Sequence, residues 1–401
     1  MKNFTFIPSI SAGYLYNGIV TDKTFLNGMP YDYYNYEGKF NYPYFLITAG
    51  NFYKKDVYEK SKFFKNENVE IFGDSGGYQI ATGTLKWNKD IRHTIMTWLE
   101  RNSTVAANLD IPPRSKLFST TDAREISYDN FKYFHENQSG KTKFLNVLQG
   151  KDLISYSSWY NMVKEFTDFE GWCIGNVSTI SNIITSIYVL LKNKEHLRSK
   201  VIHFLGASSP DSFVIMSHFQ NALNNVGLDV QIFSDSSSPN SARFGYYYTD
   251  IDYKTLAWRN FHIPYIREEN IENLDKYKSE IYKSDSNSIL PLYTDFDKEI
   301  FINLFNHQDL LDYNSRFCSA LILRNIHVYK AQVEIINEFV KAPEYYRKHI
   351  FPESIAKLGS MINEMVESTS SQMIDSIYNK YSPILNKYKS STTAGTNQQL
   401  F

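Results

Sequence analysis

The sequence predicts an α/β protein of the (β/α)8 TIM-barrel class with a mainly helical C-terminal region. Three observations carry that expectation. Seven short runs between residues 44 and 233 are nearly continuous in apolar side chains, as strands buried on both faces require. Amphipathic stretches with helical spacing separate the runs, and this alternation builds a parallel sheet. Each run gives way to a polar residue or a glycine, which in a barrel would gather at the mouth formed by the strands' C-terminal ends.

The first forty residues are rich in Tyr, Asn and Gly without a sustained period, so residues 1–39 are expected to form an N-terminal cap with one short hairpin. The expected strands are Tyr44–Thr48, Val69–Phe72, Val105–Leu109, Phe144–Leu148, Trp172–Ile174, Val201–Leu205 and Val230–Phe233, with an eighth after Arg243. Helical spacing covers Ile91–Arg101, Leu153–Phe166 and Ile180–Lys192. The barrel domain is placed at 40–290, with a polar helix and linker at Glu268–Ser288 on its edge. A helical region follows at 291–388, carried by the spacing of Ile326, Tyr329, Val333, Ile336 and Val340 and by a second amphipathic stretch at Ile355–Met373. Residues 389–401, rich in Ser, Thr, Asn and Gln, are expected to be a disordered tail. An open doubly wound sheet is the competing architecture, but its Gly-x-Gly-x-x-Gly fingerprint occurs at none of the strand ends.

Composition suits a soluble domain: 401 residues, 42% hydrophobic and 21% charged. With 42 basic against 43 acidic side chains, no global attraction to a polyanion is predicted, so a nucleic-acid partner must meet a local basic surface. The candidates are Lys151, Arg243, Arg316, Arg324, Lys330, Arg347 and Lys348. Cys173 and Cys318 are the two cysteines, which excludes a disulfide framework and argues against a cysteine zinc site. The N-terminus lacks a signal-peptide pattern, and the most apolar run, Ile183–Leu191, is too short to span a bilayer. A cytoplasmic protein with no membrane partner is expected. The abundance of Tyr, Phe, Asn and Lys fits an A+T-rich genome such as some bacteriophages carry.

The residues that follow the strands carry the chemistry. Asp74-Ser75-Gly76-Gly77 follows the second run, Asp110 the third, Gln149-Gly150 the fourth, Gly175-Asn176 the fifth, Gly206 the sixth and Asp235 the seventh. Each also has a plain structural reading. Asp-Ser-Gly-Gly is good turn chemistry, Asp110 before Ile-Pro-Pro can start a turn, and Asp235 can cap a helix or form an Asx turn. Tyr78 reads more readily as a core residue than as a stacking platform, and His203, inside an apolar run, reads as a satisfied core histidine.

Taken together and in order, Asp-Ser-Gly-Gly-Tyr-Gln (74–79), Leu-Asp-Ile-Pro (109–112), Val-Leu-Gln-Gly (147–150), Gly-Trp-Cys-Ile-Gly (171–175) and Phe-Ser-Asp-Ser-Ser-Ser-Pro-Asn-Ser-Ala-Arg (233–243) resemble the guanine transglycosylases. These are the queuine and archaeosine tRNA-ribosyltransferases and their DNA-modifying relatives. The resemblance spans roughly residues 40 to 260. It implies Asp235 as the nucleophile that attacks C1′ of a guanosine or deoxyguanosine, and Asp74 as the general acid and base. It further implies Asp110 on the N1–H and 2-amino edge of the purine, Gln149 and the Gly150 N–H on its O6, Tyr78 stacked on the ring, and the backbone of Gly171 and Trp172 lining the pocket. Two carboxylates suit the chemistry, because replacing one base by another with retained configuration is easiest as two displacements.

Two departures from that family bear on the partner. Its tRNA enzymes carry a Cys-x-Cys-x-x-Cys cluster and a later His that bind zinc, whereas here the region holds only Cys318, and the segment matching His-Asn-Leu reads Arg324-Asn325-Ile326. No metal or cofactor is therefore expected, and DNA is favoured over tRNA. Asn176 stands where members that use an aminomethyl base carry an acidic residue, which favours a neutral substituent on the 7-deazaguanine. The alternatives are the same exchange on tRNA, a catalytically silent nucleic-acid-binding subunit, and an unrelated barrel enzyme acting on a small metabolite.

Overall fold

Eight parallel strands form one sheet that curls into a nearly closed ring. The structure is a computed structural model, and it describes residues 1–9, 24–25, 29–30, 42–54, 69–113, 115, 117–262 and 310–389. The barrel strands are β1 (Thr5–Pro8), β4 (Tyr44–Thr48), β5 (Glu70–Asp74), β6 (Val105–Ala107), β7 (Lys143–Leu148), β8 (Gly171–Ile174), β9 (Val201–Phe204) and β10 (Gln231–Ser236). They lie side by side in chain order, with β1 against β10 and a single parallel bridge from Ser9 to Leu46 completing the ring. Residues 10–23, 26–28, 31–41 and 263–309, which include the helix and linker expected at Glu268–Ser288, lie outside the described residues. So does the expected tail from residue 390 onward.

All seven expected runs are strands, shifted by no more than two or three residues at an end. The eighth is a correction. The chain after Arg243 forms an antiparallel hairpin, β11 (Tyr246–Asp252) with β12 (Ala257–His262), outside the barrel sheet. Its place in the ring is taken by Thr5–Pro8, from the stretch expected to be a cap. Phe4, Phe6 and Ile7 are fully buried there, and Pro8, which has no N–H to offer a ladder, ends the strand. The expected hairpin in the same stretch is present at the backbone level, as β2 (Thr24–Phe25) paired with β3 (Met29–Pro30).

Helices cover the outside: α1 (Ala49–Phe52), α2 (Gly77–Ala81), α3 (Lys89–Asn102), α4 (Thr120–Asn137), α5 (Leu153–Val163), α6 (Ile180–Lys192) and α7 (Pro210–Asn225). Four of their starts carry side-chain caps. Asn88, Asp152 and Thr179 each accept a backbone N–H of the first turn, and Ser119 with Asp122 forms a reciprocal capping box. Helix α6 is buried along its whole length from Ile180 to Leu191. An apolar run that thorough needs a second covering layer.

That layer is the helical C-terminal region: α8 (Leu310–Lys341), α9 (Glu344–Ile350), α10 (Glu353–Glu367) and α11 (Ser371–Leu385). The stretch expected as one helix over Ile355–Met373 is broken, because Ser370 caps a new helix by accepting the N–H of Met373. Helix α11 covers α6, with the rings of Tyr188 and Tyr378 4.2 Å apart and Lys192 bridged to Asp375 at 2.8 Å. Helix α8 joins hairpin and barrel through an aromatic cluster: Tyr329 stacks on Trp258 at 4.1 Å and meets Phe6 at 5.2 Å. Next to it, the Asn325 amide donates to the Tyr246 and Pro239 carbonyls and accepts the Tyr248 N–H. The Arg324 guanidinium donates to the Tyr248 carbonyl. Two polar side chains thus tie the C-terminal region to the segment that leaves the seventh expected strand.

Helices α7 and α10 meet at an unusual contact, where a Cβ on Gly359 would come within 2.4 Å of the His218 ring. His218 is fully buried with neither ring nitrogen hydrogen-bonded, so its pKa is pushed down to about 3, chiefly by burial and secondarily by the charge of Arg347. An unfolded histidine titrates near 6.5, so below that pH the unfolded chain takes a proton that the folded one refuses. His218 therefore favours folding fully above about pH 6.5, and this contribution shrinks as pH falls toward 3, by about 1.4 kcal/mol per unit. Urea unfolding at about pH 7 and about pH 5 should show His218→Leu losing roughly 2 kcal/mol less stability than the parent over that interval. An equal loss in both proteins would show that His218 is protonated in the fold.

Candidate active site at the barrel mouth

Parallel strands put all their C-terminal ends on one side, and four expected site residues meet there: Asp74, Asp110, Gln149 and Asp235. Asp74 is the last residue of β5, and its neighbour in register is Thr48, the last residue of β4. The Thr48 hydroxyl donates to Asp74 Oδ2 at 2.7 Å, and the Gly76 N–H reaches Oδ1 at 3.4 Å. Asp235 lies inside β10 opposite Ile7 of β1 and is 8% exposed. Its Oδ1 accepts from His203 Nε2 at 2.8 Å and from the Gly206 N–H at 3.1 Å. Asp110 follows β6, is 5% exposed, and accepts from Gln149 Nε2 at 2.8 Å through Oδ2.

The two glycines after Asp74 are required by close approach. Gly76 adopts φ 87° and lies against the Gly50 backbone, and a Cβ on Gly77 would stand 1.9 Å from the Asp110 carbonyl oxygen. The Asp-Ser-Gly-Gly turn therefore locks the end of β5 to the loop after β6. Gly175 does the same between the next strands along, since the Gln149 amide occupies the space a Cβ would take. Gly150 packs on the Tyr156 ring, and its carbonyl accepts from the Asn176 amide. The Tyr156 hydroxyl donates to the Gly175 carbonyl at 3.1 Å.

Electrostatically the carboxylates form one group. Asp74 has its pKa raised, chiefly by burial, and the charge of Asp235 raises it further. Asp110 is pushed up to about 7 by burial; the Gln149 hydrogen bond opposes this and the charge of Asp74 adds to it. The buried thiol of Cys173 is pushed up by burial and then by Asp110, Asp74 and Asp235 in turn, so it lies within the field of all three. A carboxyl whose pKa is raised by burial beside other carboxylates is suited to proton transfer. Near neutral pH, Asp110 exists in both forms.

Tyr78 stands on α2, four residues after Asp74, and is 51% exposed, so it is a surface ring and not a core residue. Gly171 and Trp172 are not at the mouth, which corrects their assignment to the pocket. Gly171 is the first residue of β8, paired with Val201 at the start of β9, so both lie at the opposite end of the barrel. Trp172 is buried there, with its indole N–H donating to Glu195 at 3.0 Å, and Glu195 also accepts from Tyr160 at 2.6 Å and Arg198 at 2.6 Å. The end of that strand nearest the site is Gly175-Asn176.

Two site neighbours were not legible as such. Thr48 reads as a strand end, although a polar residue closing an apolar run was the same signal that marked the others. His203 gave no signal beyond its burial. Among the basic candidates, Arg324 and Arg347 are buried and donate to backbone carbonyls, which removes them as surface contacts. Lys151 is exposed directly after Gly150, while Lys330 and Lys348 pair with Glu334 and Glu344. Among the described residues no cluster of His, Cys, Asp or Glu fits a metal ion, and no helix is long and apolar enough to cross a membrane. No protein-family model and no curated protein matches the chain.

Proposed function

We propose that this protein is a DNA-guanine transglycosylase, a pentosyltransferase that exchanges guanine in DNA for a preformed 7-deazaguanine through a covalent aspartyl–glycosyl intermediate. The observation that carries the reading is the convergence of Asp74, Asp110 and Asp235, separated by up to 161 positions in sequence, on one barrel mouth, with Asp74 within electrostatic reach of both others. A binding module has no need of three carboxylates placed against their own repulsion and desolvation.

In this mechanism an oxygen of Asp235 bonds to C1′ as the C1′–N9 bond breaks, and the Asp74 carboxyl gives the departing guanine its proton. The incoming base gives its proton to Asp74 and attacks C1′, releasing Asp235. Each step returns what the other used, so the enzyme is unchanged after one exchange. Asp110, ionised, accepts from the N1–H and 2-amino group, an edge that adenine cannot offer. Gln149 has a second amide hydrogen for O6, and Tyr78 offers an exposed ring for stacking. The guanine must leave the base stack before C1′ can reach Asp235.

The Asn176 side chain, spent on the Gly150 carbonyl, brings no negative charge to the rim, which supports a neutral substituent on the inserted base. The support for DNA over tRNA is the segment at 324–326, whose Arg and Asn are both spent on binding the hairpin backbone. Incubation of the protein with a labelled 7-deazaguanine and either DNA or tRNA should label DNA. Label confined to tRNA would transfer the same chemistry to RNA, and label in neither would remove the exchange reading.

A further inference from the structure

Among the described residues, Asp235 is held from one side only. Both described donors to its carboxylate, His203 Nε2 and the Gly206 N–H, meet the same oxygen, Oδ1, and no donor among the described residues reaches Oδ2. His203 is wholly buried on β9, and its other nitrogen, Nδ1, has no partner among the described residues. A carboxylate can only accept, so the imidazole proton facing Asp235 must be on Nε2, while Nδ1 is buried with no acceptor among the described residues to receive a proton. The ring plane is fixed as well, because Phe72 stacks on it at 3.9 Å with the planes 18° apart, and Phe233 lies 6.3 Å away on the strand that carries Asp235.

We infer that His203 is the positioning residue of the nucleophile: held with its proton on Nε2, it engages Oδ1 of Asp235 and leaves Oδ2 as the oxygen that attacks C1′. The inference rests on the transglycosylase reading for what Oδ2 attacks, but the tautomer and the one-sided bonding stand on geometry alone. The physical consequence is orientational. A carboxylate with one oxygen bonded to two fixed donors cannot rotate about Cβ–Cγ, so the free oxygen presents one direction to the sugar. Releasing the ring would let the two oxygens exchange places and spread the nucleophile over unproductive orientations. His203 itself touches no reacting atom.

Three variants and one spectrum test this. His203→Phe, which keeps the stacking and removes the donor, is expected to lower kcat for base exchange about 10- to 100-fold with KM for the free base unchanged. His203→Gln, whose amide nitrogen can stand where Nε2 stood, should recover activity to within about fivefold of the parent. In a long-range 1H–15N spectrum of histidine-labelled protein, the signal lost in His203→Gln should show the proton on Nε2, and it should move in Asp235→Asn. Full activity in His203→Phe, a glutamine variant as impaired as the phenylalanine one, or a proton on Nδ1 would each overturn the inference. A parent protein that exchanges no base on any nucleic acid, but whose spectrum shows the Nε2 proton and its shift in Asp235→Asn, would remove the proposed reaction while leaving the held carboxylate intact.

Discussion

Replacing Asp235→Asn is expected to abolish the covalent adduct between protein and nucleic acid and to lower base exchange by at least about 10^4-fold, the scale of losing a nucleophile. The fold should survive. An asparagine Oδ1 can accept from His203 and Gly206 as the carboxylate does, and the site has no other described donor to lose. What disappears is the charge that makes the second oxygen a nucleophile toward C1′. Denaturing electrophoresis of protein mixed with labelled DNA and a slowly displacing base analogue reads the adduct directly. An adduct of unchanged yield in the variant would mean that another residue forms it.

The second large effect concerns Asp110. Asp110→Asn should cut incorporation of a 7-deazaguanine by about 10^3-fold or more, because the amide turns a donor toward a purine edge that itself consists of donors. The parent protein should show a pH dependence that the variant lacks. Asp110 titrates at about 7 in the free site, and only its ionised form matches the N1–H and 2-amino group. Below pH 7 a bound base must displace the proton, so affinity should fall about tenfold for each unit of acidification, and above it the affinity should level off. Titration of the free base at about pH 5.5, 7 and 8.5 by calorimetry would show one proton released per base bound on the acid side. Binding that is flat across that range, or tighter in acid, would contradict the assigned partner edge.

These expectations trace to features of the site that were differently visible in the sequence. A strand buried on both faces must be an apolar run, so the polar residue that ends it stands out; Asp74, Asp110, Gln149 and Asp235 were legible for that reason. The Gly-Trp-Cys-Ile-Gly motif misled for the complementary reason. Its first four residues are β8 and its last lies just beyond it, from Gly171 beside Val201 to Gly175 beside Gln149, and nothing in the spacing says which glycine faces the mouth. The pairing register does. Thr5–Pro8 was not legible as a strand because four residues ending in proline, with no helix pattern behind them, resemble a loop until β10 and β4 are seen to need a neighbour.

The amino-acid order alone determined the repeating strand–helix rhythm, the positions of the strand-terminal carboxylates and the helical character of the C-terminal region, since each follows from local periodicity and burial. Only the tertiary structure decided how the ring closes, which end of β8 joins the site, and that His203 meets Asp235. Those facts depend on the register between strands far apart in the chain. A shift of a single residue there would turn the histidine away from the carboxylate without altering any local pattern.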